Sequence, residues 1–376
     1  MSSFGKPADV PRWVSLGLVP LVNLIAAFIL AGLVVLVIGE DPIRAVQLLI
    51  SGAFGSFVNI SFTLYYATNF IFTGLAFAVA FHCGLFNIGS EGQAYIGGLG
   101  VGLVCLWLGA FLPWPVLLPI AIVAGCVFGA AWAFIPAYLQ AKRGSHIVIT
   151  TIMFNYIASA VMVYLMVNVL IAPGQQSPES VPFEDWATLP TVTEMLAAIG
   201  VPFRRVPLNL SFIWALLCCV AVFFFIWRTR WGYEIRTVGA NPQAAVYGGI
   251  SVSRNMILAM AISGALSGFV GLNEIMAVQE RLLLNYVAGY GFVGIAVSLM
   301  GRNHPVGIVL AAILFGALYQ GGAELAFEMP LITREVVVVI QGLVILFAAA
   351  LENMFRDPIE NFFKRRGARA EAVAAE

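Results

Sequence analysis

Glu91 is a carboxylate set in a window, residues 60 to 110, that holds no Lys or Arg. Its neighbours read as a helix start. In Ser90-Glu91-Gly92-Gln93 the Ser90 hydroxyl can accept from the Gln93 amide while the Gln93 side chain reaches back to the Ser90 amide, the reciprocal pattern of a capping box. Glu91 then falls in the first turn, where the helix dipole favours a negative charge by about 0.3–1 kcal/mol. Asn87 and Gly89 break the helical pattern before it. Two placements stay open. A helix over 91–110 is about 30 Å long at 1.5 Å per residue, a full crossing, which puts the turn at one membrane face and gives Glu91 a structural role. Such a turn would ordinarily carry Lys or Arg. A deeper turn must satisfy its freed backbone groups against protein or a water-filled cavity, and helix starts of that kind hold polar substrates in transporters.

Other chemistry is sparse. The sequence has no G-x-x-x-x-G-K-[ST], so it does not bind ATP by a P-loop. It has no H-E-x-x-H, and His82, His146 and His304 lie far apart, which argues against a metal site. No Ser/His/Asp set is evident near one membrane face. Cys83, Cys105, Cys126, Cys218 and Cys219 lie in or beside apolar runs without metal-ligand spacing, and read as small buried hydrophobes. Glu274, Glu324 and Glu352 are expected at the membrane interface, close to helix ends, leaving Glu91 as the main intramembrane carboxylate.

The elements that position Glu91 are membrane helices. The chain is 61% hydrophobic and 10% charged, with a mean hydropathy of +0.95, where soluble domains are roughly half apolar and a quarter charged. Zero net charge argues against a nucleic-acid partner. Ten apolar runs are long enough to consider as crossings: 14–38, 60–82, 91–110, 117–139, 146–171, 210–227, 256–273, 287–301, 305–323 and 335–353. The first is too long for a signal-peptide core and is kept as a helix. The eighth is short and glycine-rich, and a re-entrant element there is the alternative. The expectation is an all-α, polytopic integral membrane protein of about ten transmembrane helices. A tail at 1–13 precedes the membrane domain, 14–353, and a second tail at 354–376 follows it. With both termini on the cytoplasmic side, only Arg44, Arg204, Arg205, Arg281 and Arg334 of the 19 Lys and Arg fall outside, as the positive-inside rule requires.

Two loops exceed what a crossing needs. The outside loop, 172–209, carries six prolines, which excludes one long helix. Within it Thr191 and Glu194 have capping-box spacing for a short helix. The loop is either a tether or a docking face for an external protein. In the inside loop, 228–255, Asn241 followed by Pro242 is an N-cap followed by proline at the first helical position. "QAAVY" adds about two turns, and Gly248 and Gly249 end them. This arginine-framed knob suits a soluble partner better than lipid, because the apolar face of Ala244, Ala245, Val246 and Tyr247 is small. Gly125 with Gly129, Gly264 with Gly268 and Ser267 with Gly271 have the four-residue spacing that lets membrane helices pack closely. "FTGLAF" (72–77) and "FVGIAV" (292–297) look alike and are expected to run in the same direction.

The segments "DPIRAVQLLISGAFGS" (41–56), "FNIGSEGQAYIGG" (86–98), "TTIMFNYIA" (150–158) and "VGANPQAAVYGGISVSR" (238–254) together resemble the simple-sugar and nucleoside permease family of bacterial ABC importers, of the ribose and branched-chain-amino-acid type. The likeness is greatest to the larger permease of nucleoside importers and runs from about residue 14 to residue 352. It implies a multi-pass protein of the inner membrane with no catalytic activity and no cofactor of its own. ATP would be bound by a partner ATPase. The other implied partners are a second homologous permease and a periplasmic or lipoprotein substrate-binding protein. It implies a coupling helix facing the ATPase at Gly239, Asn241, Pro242, Ala244, Ala245, Tyr247, Gly248 and Gly249. A substrate pathway is implied near Phe86, Asn87, Ser90, Glu91, Gln93, Tyr95, Asn155 and Tyr156. There the aromatic rings could stack on a nucleoside base and the polar groups bond to ribose. The length of the 172–209 loop departs from the family pattern. A carrier driven by an ion gradient, working without ATPase partners, is the alternative.

Overall fold

The computed structural model describes residues 19–198, 200, 204–333, 335–344 and 346. The expected tails at 1–13 and 354–376, the first part of the 14–38 run and the end of the 335–353 run lie outside them. The described chain is helical throughout, with two isolated β-bridges and no strand. The helices are α1 (Val19–Ile38), α2 (Pro42–Phe54), α3 (Phe57–His82), α4 (Ser90–Leu108), α5 (Trp114–Arg143), α6 (Ile147–Asn168), α7 (Val192–Ala198), α8 (Ser211–Arg228), α9 (Arg230–Ala240), α10 (Pro242–Tyr247), α11 (Val252–Gly268), α12 (Tyr290–Met300) and α13 (Pro305–Glu328). A π-helical segment, Leu272–Gln279, prolongs α11, and a short apolar helix, α14 (Glu335–Val344), follows α13.

Six of these are long and apolar enough to cross a membrane: α3, α5, α6, α8, α11 with its π segment, and α13. The number rises to seven if α1 and α2, which meet at 119°, form one broken span. That bend is absent from the sequence expectation, in which 41–56 is only a motif. The run 91–110 became α4, whose first turn carries Ser90, Glu91 and Gln93 and whose interior carries Gly97, Gly98, Gly100 and Gly102. The run 287–301 became the 11-residue α12, half a crossing in length.

The chain divides into two compact units, residues 53–320 and the segments 1–52 with 321–376. In the second, α2 lies on the end of α13: a Cβ on Gly321 would run into the carbonyl of Leu49, and one on Gly52 into the side chain of Glu324. The larger unit is built around α3, whose membrane stretch is 83% buried. The small residues singled out above make its tightest seam. A Cβ on Gly264 would strike the carbonyl of Gly129, one on Gly268 that of Gly125, and one on Gly271 the Cα of Gly98. Segments 72–77 and 292–297 do run in the same direction, for Phe70 meets Tyr290 at the start of the pair and Gly294 lies against Thr73 further along it.

One end of this unit carries α9 and α10. Thr229 caps α9 by accepting from Gly232, and Glu234 ties α9 to α11 by accepting from Asn255 and Arg230. The hydrogen bonds from Asn255 and Arg230 hold the Glu234 carboxyl below the usual carboxylate range. The other end carries the 172–209 loop, pinned by the ion pairs Arg281–Glu179 and Arg205–Glu280, each 2.9 Å. There the Thr191–Glu194 capping box forms as expected. The Thr191 amide donates to Glu194 (2.9 Å), and the Glu194 amide to the Thr191 hydroxyl (3.4 Å).

The glycine seam sets a measurable expectation. Gly268→Ala forces backbone apart and should lower stability against thermal unfolding in detergent by about 1–3 kcal/mol, the usual cost of overpacking. Gly144→Ala, at a left-handed but uncrowded position, should cost only about 1 kcal/mol.

Candidate functional site

The chain between α3 and α4 decides where the site lies. Gly84, in the left-handed region (φ +76°), lets the backbone turn against Gly239, at the end of α9. From there residues 85–89 climb into the bundle. The buried Asn87 side chain holds them: its Oδ1 accepts from the Gly89 amide (2.8 Å), and its Nδ2 donates to Gln93 Oε1 (2.9 Å) and to Ser263 Oγ (2.8 Å). Ser263 is two-thirds of the way along α11, so α4 begins about 16 Å from the α10 end at 1.5 Å per residue. The turn therefore starts at one end and delivers a helix start deep inside.

The capping box expected at Ser90 does not form. Gly89 is the N-cap with no side-chain bond, and the Gln93 amide donates to the Gly89 carbonyl. The Ser90 hydroxyl is buried without a partner among the described residues. The reason is register: α4 starts one residue early, so Ser90 is already helical and Asn87 organises the turn instead. Gln93 pairs with that asparagine.

Glu91 is thereby free to act on another helix. Its Oε1 accepts from the Gly289 amide and its Oε2 from the Gly291 amide, both at 2.8 Å. These are the orphan donors at the start of α12, so one carboxylate sits at two helix N-termini, where both dipoles favour it. A Cβ on Gly291 would collide with the Glu91 backbone, which makes glycine necessary there. Asn155, on α6, completes the join: it accepts from the Gly92 amide (2.9 Å) and donates to the Ile88 carbonyl (3.0 Å). Beyond it the Tyr95 hydroxyl accepts from the Asn285 amide (2.9 Å), and the Tyr286 hydroxyl donates to the Ala94 and Tyr95 carbonyls. The loop so held has left-handed backbone at Asn285 and Ala288 as well as Gly289. For non-glycine residues that costs about 1–2 kcal/mol each.

These groups enclose a pocket of about 250 Å³ lined by Glu91, Tyr95, Asn155, Ser159, Asn285 and Gly289, among others. Of the residues expected along a pathway, Glu91, Tyr95 and Asn155 meet here. Asn87 and Gln93 are buried behind the pocket as its support, together with the unpaired Ser90. Phe86 is half exposed and packs edge-on against Phe77 (5.0 Å), outside the pocket. Tyr156, 69% exposed, projects from α6 away from it.

A second polar cluster escaped the sequence reading. Glu274, expected at the interface, is fully buried in the π segment. Its Oε1 accepts from the Tyr65 hydroxyl and from Asn69 Nδ2, both at 2.6 Å. Its neighbour Asn273 donates to Asn69 Oδ1 (2.9 Å) and accepts from Asn209 (2.8 Å). Among the described residues no cation pairs with this carboxylate. The signal available was the polar row Tyr65, Asn69 and Thr73, four residues apart in an apolar helix. The π geometry is a feature often found at functional sites.

At the α10 end the expected knob is present. Asn241 accepts from the amides of Gln243 (2.9 Å) and Ala244 (3.0 Å) ahead of Pro242. Ala245 is buried, whereas Ala244 is exposed and Tyr247 is 94% exposed. Gly248 donates to Ala244, and Gly249 (φ +75°) closes the helix. Gly239 lies so close to the His82 carbonyl that no side chain fits between them.

Residues 59–349 match the family described as "Branched-chain amino acid transport system / permease component". The chain is 36% identical over 336 residues to the guanosine ABC transporter permease NupP of Bacillus subtilis, covering 89% of this chain and 93% of that one. It is 34% identical over 348 residues to the nucleoside ABC transporter permease NupB of Lactococcus lactis (88% and 90%). It is 33% identical over 371 residues to the glucose ABC transporter permease TsgB13 of Haloferax volcanii (97% and 95%).

The buried carboxylate yields an expectation that separates charge from hydrogen bonding. Glu274→Ala leaves the Tyr65 hydroxyl and Asn69 amide without an acceptor, at about 1–3 kcal/mol for each unsatisfied group. Thermal unfolding of the purified protein should show that loss. Glu274→Gln keeps an acceptor oxygen and should lose less than half as much.

Proposed function

The chain belongs to the family of permease components of the branched-chain amino acid transport system, and we propose that it passes a nucleoside through the pocket at Glu91, Tyr95 and Asn155. It is a multi-pass membrane protein and the permease subunit of an ATP-binding cassette importer, a transport subunit and not an enzyme. The observation that carries the cargo reading is the convergence of two helix starts on one pocket with a carboxylate between them. Glu91 already offsets both dipoles, so the cargo needs no charge of its own, which suits a neutral nucleoside better than a nucleotide. The Tyr95 and Ser159 hydroxyls and the Asn285 side chain, which line the pocket, would bond ribose, and the Tyr95 ring would offer an apolar face. Two of the three relatives above are named for guanosine or nucleosides and the third for glucose, so the preference for a nucleoside over a sugar rests on the pocket.

In this reading the chain lies in the bacterial inner membrane with about ten spans and both termini cytoplasmic. The membrane domain is 14–353, with the 172–209 loop external and the 228–255 loop facing a cytoplasmic ATPase that binds ATP. A second, homologous permease completes the path, and a periplasmic or lipoprotein binding protein delivers cargo to the external loop. The ATPase takes hold of α10 at Tyr247 and the exposed Ala244. Movement there passes through Gly239 to His82 and Gly84, which it touches, and so to the climbing segment that carries Asn87 and Glu91.

Proteoliposomes holding the chain with its ATPase, second permease and binding protein should take up labelled guanosine only with internal or external ATP at the ATPase face. Glu91→Gln leaves an amide group facing one of the two N–H donors, and should lower uptake about tenfold while assembly is retained. Uptake by this chain alone under an ion gradient would overturn the reading. Retention of a sugar and not nucleosides by the co-purifying binding protein would overturn the cargo.

A further inference from the structure

Between α8 and the start of α13 runs a wholly apolar groove of about 520 Å³, lined by Leu216, Cys219, Val220, Phe223, Val306 and Leu310 among others. Val220, Val306 and Leu310 are exposed along it. Toward the α9 end the groove stops at aromatic rings. Phe223 stacks on Trp227 (5.4 Å between centroids), and Trp227 meets both His304 (5.1 Å) and His82 (5.3 Å). Two arginines lie around these rings. Arg228 is exposed in the last turn of α8, and Arg236 lies within electrostatic range of His82. The Nε of Arg236 is buried without a hydrogen-bond partner among the described residues. The carboxylate of α9, Glu234, is already occupied by Arg230 and Asn255.

An apolar channel at membrane depth, ending in a tryptophan and then in arginines with no counter-charge among the described residues, matches one kind of molecule. Trp is the residue that marks the headgroup level of a bilayer, and basic residues there attract anionic lipid. We infer that this groove binds an anionic phospholipid, with an acyl chain between α8 and α13 and its phosphate at Arg228 and Arg236. A zwitterionic lipid fills the same groove but brings its own cation to the basic end. The site rests on the chain's being a membrane protein and is independent of its cargo.

The full-length chain, purified in mild detergent and offered equal amounts of phosphatidylglycerol and phosphatidylcholine with identical acyl chains, should retain phosphatidylglycerol in excess by native mass spectrometry. Arg228→Gln, a change at an exposed position, should cut that excess about fivefold, the value of one basic residue at an anionic surface, and leave phosphatidylcholine retention unchanged. Arg236→Gln should act in the same direction. Val306→Trp, which fills the groove from an exposed position, should reduce retention of both lipids. Equal retention of the two lipids by the unaltered chain would overturn the inference, as would phosphatidylglycerol retention indifferent to Val306→Trp. Displacement of the lipid by millimolar glycerol 3-phosphate would assign the basic end to free phosphate and overturn it too. So would a dimer that excludes lipid and is broken by Val306→Trp.

Discussion

Two helices begin inside the bundle, and a helix start away from water leaves amide donors that must find acceptors in the protein. The Glu91 carboxylate meets that requirement for α12, with both oxygens at 2.8 Å from the Gly289 and Gly291 amides. Asn155 meets it for α4 through the Gly92 amide. The rest of the site follows from this join. Gly291 has no side chain because the Glu91 backbone occupies that space. Asn87 must be buried because it lifts the chain to the level at which Glu91 can reach α12. The left-handed residues of the 285–289 loop are tolerated because Glu91 and Tyr95 hold the loop from beneath.

The join also lies between the two ends of the larger unit. On one side a line of contacts leads from α10 through Gly239 to His82 and Gly84, and on to Asn87. On the other, the loop that Glu91 holds continues to Glu280 and Arg281, which pair with Arg205 and Glu179 of the proline-rich segment. An element gripped from both ends by short hydrogen bonds, and strained where it is gripped, has the properties of a latch. The Glu274 cluster lies on the π segment that leads into this loop and ties that segment to α3. One carboxylate therefore fixes the half-helix, and the other fixes the element leading into it.

What the sequence disclosed was local chemistry. The Asn241–Pro242 start, the Gly248–Gly249 end and the Thr191–Glu194 box are each settled by residues within a few positions of one another, and all three formed as expected. The four-residue glycine spacings also became real contacts, since one helix face sets them. The Ser90 box failed because its register depends on Asn87, which is anchored by Ser263 from a helix 176 residues away. Glu274 was misplaced for the same reason: its partners Tyr65 and Asn69 are more than 200 residues distant. The role of Glu91 as the cap of a different helix needs Gly289 and Gly291, which no local pattern connects to it. The bend between α1 and α2 and the half-length of α12 likewise escape a count of apolar runs.

The pocket beside the Glu91 join is proposed as a stage of the transport path. Ser159 lines that pocket from α6 and is exposed, so Ser159→Cys can be probed with a small hydrophilic thiol reagent against the five native cysteines, all buried or half-buried. In the assembled transporter, labelling of Cys at 159 should change rate when ATP is turned over, should slow when guanosine is present, and should block uptake. Labelling that proceeds at one rate in all conditions and leaves uptake intact would contradict the account.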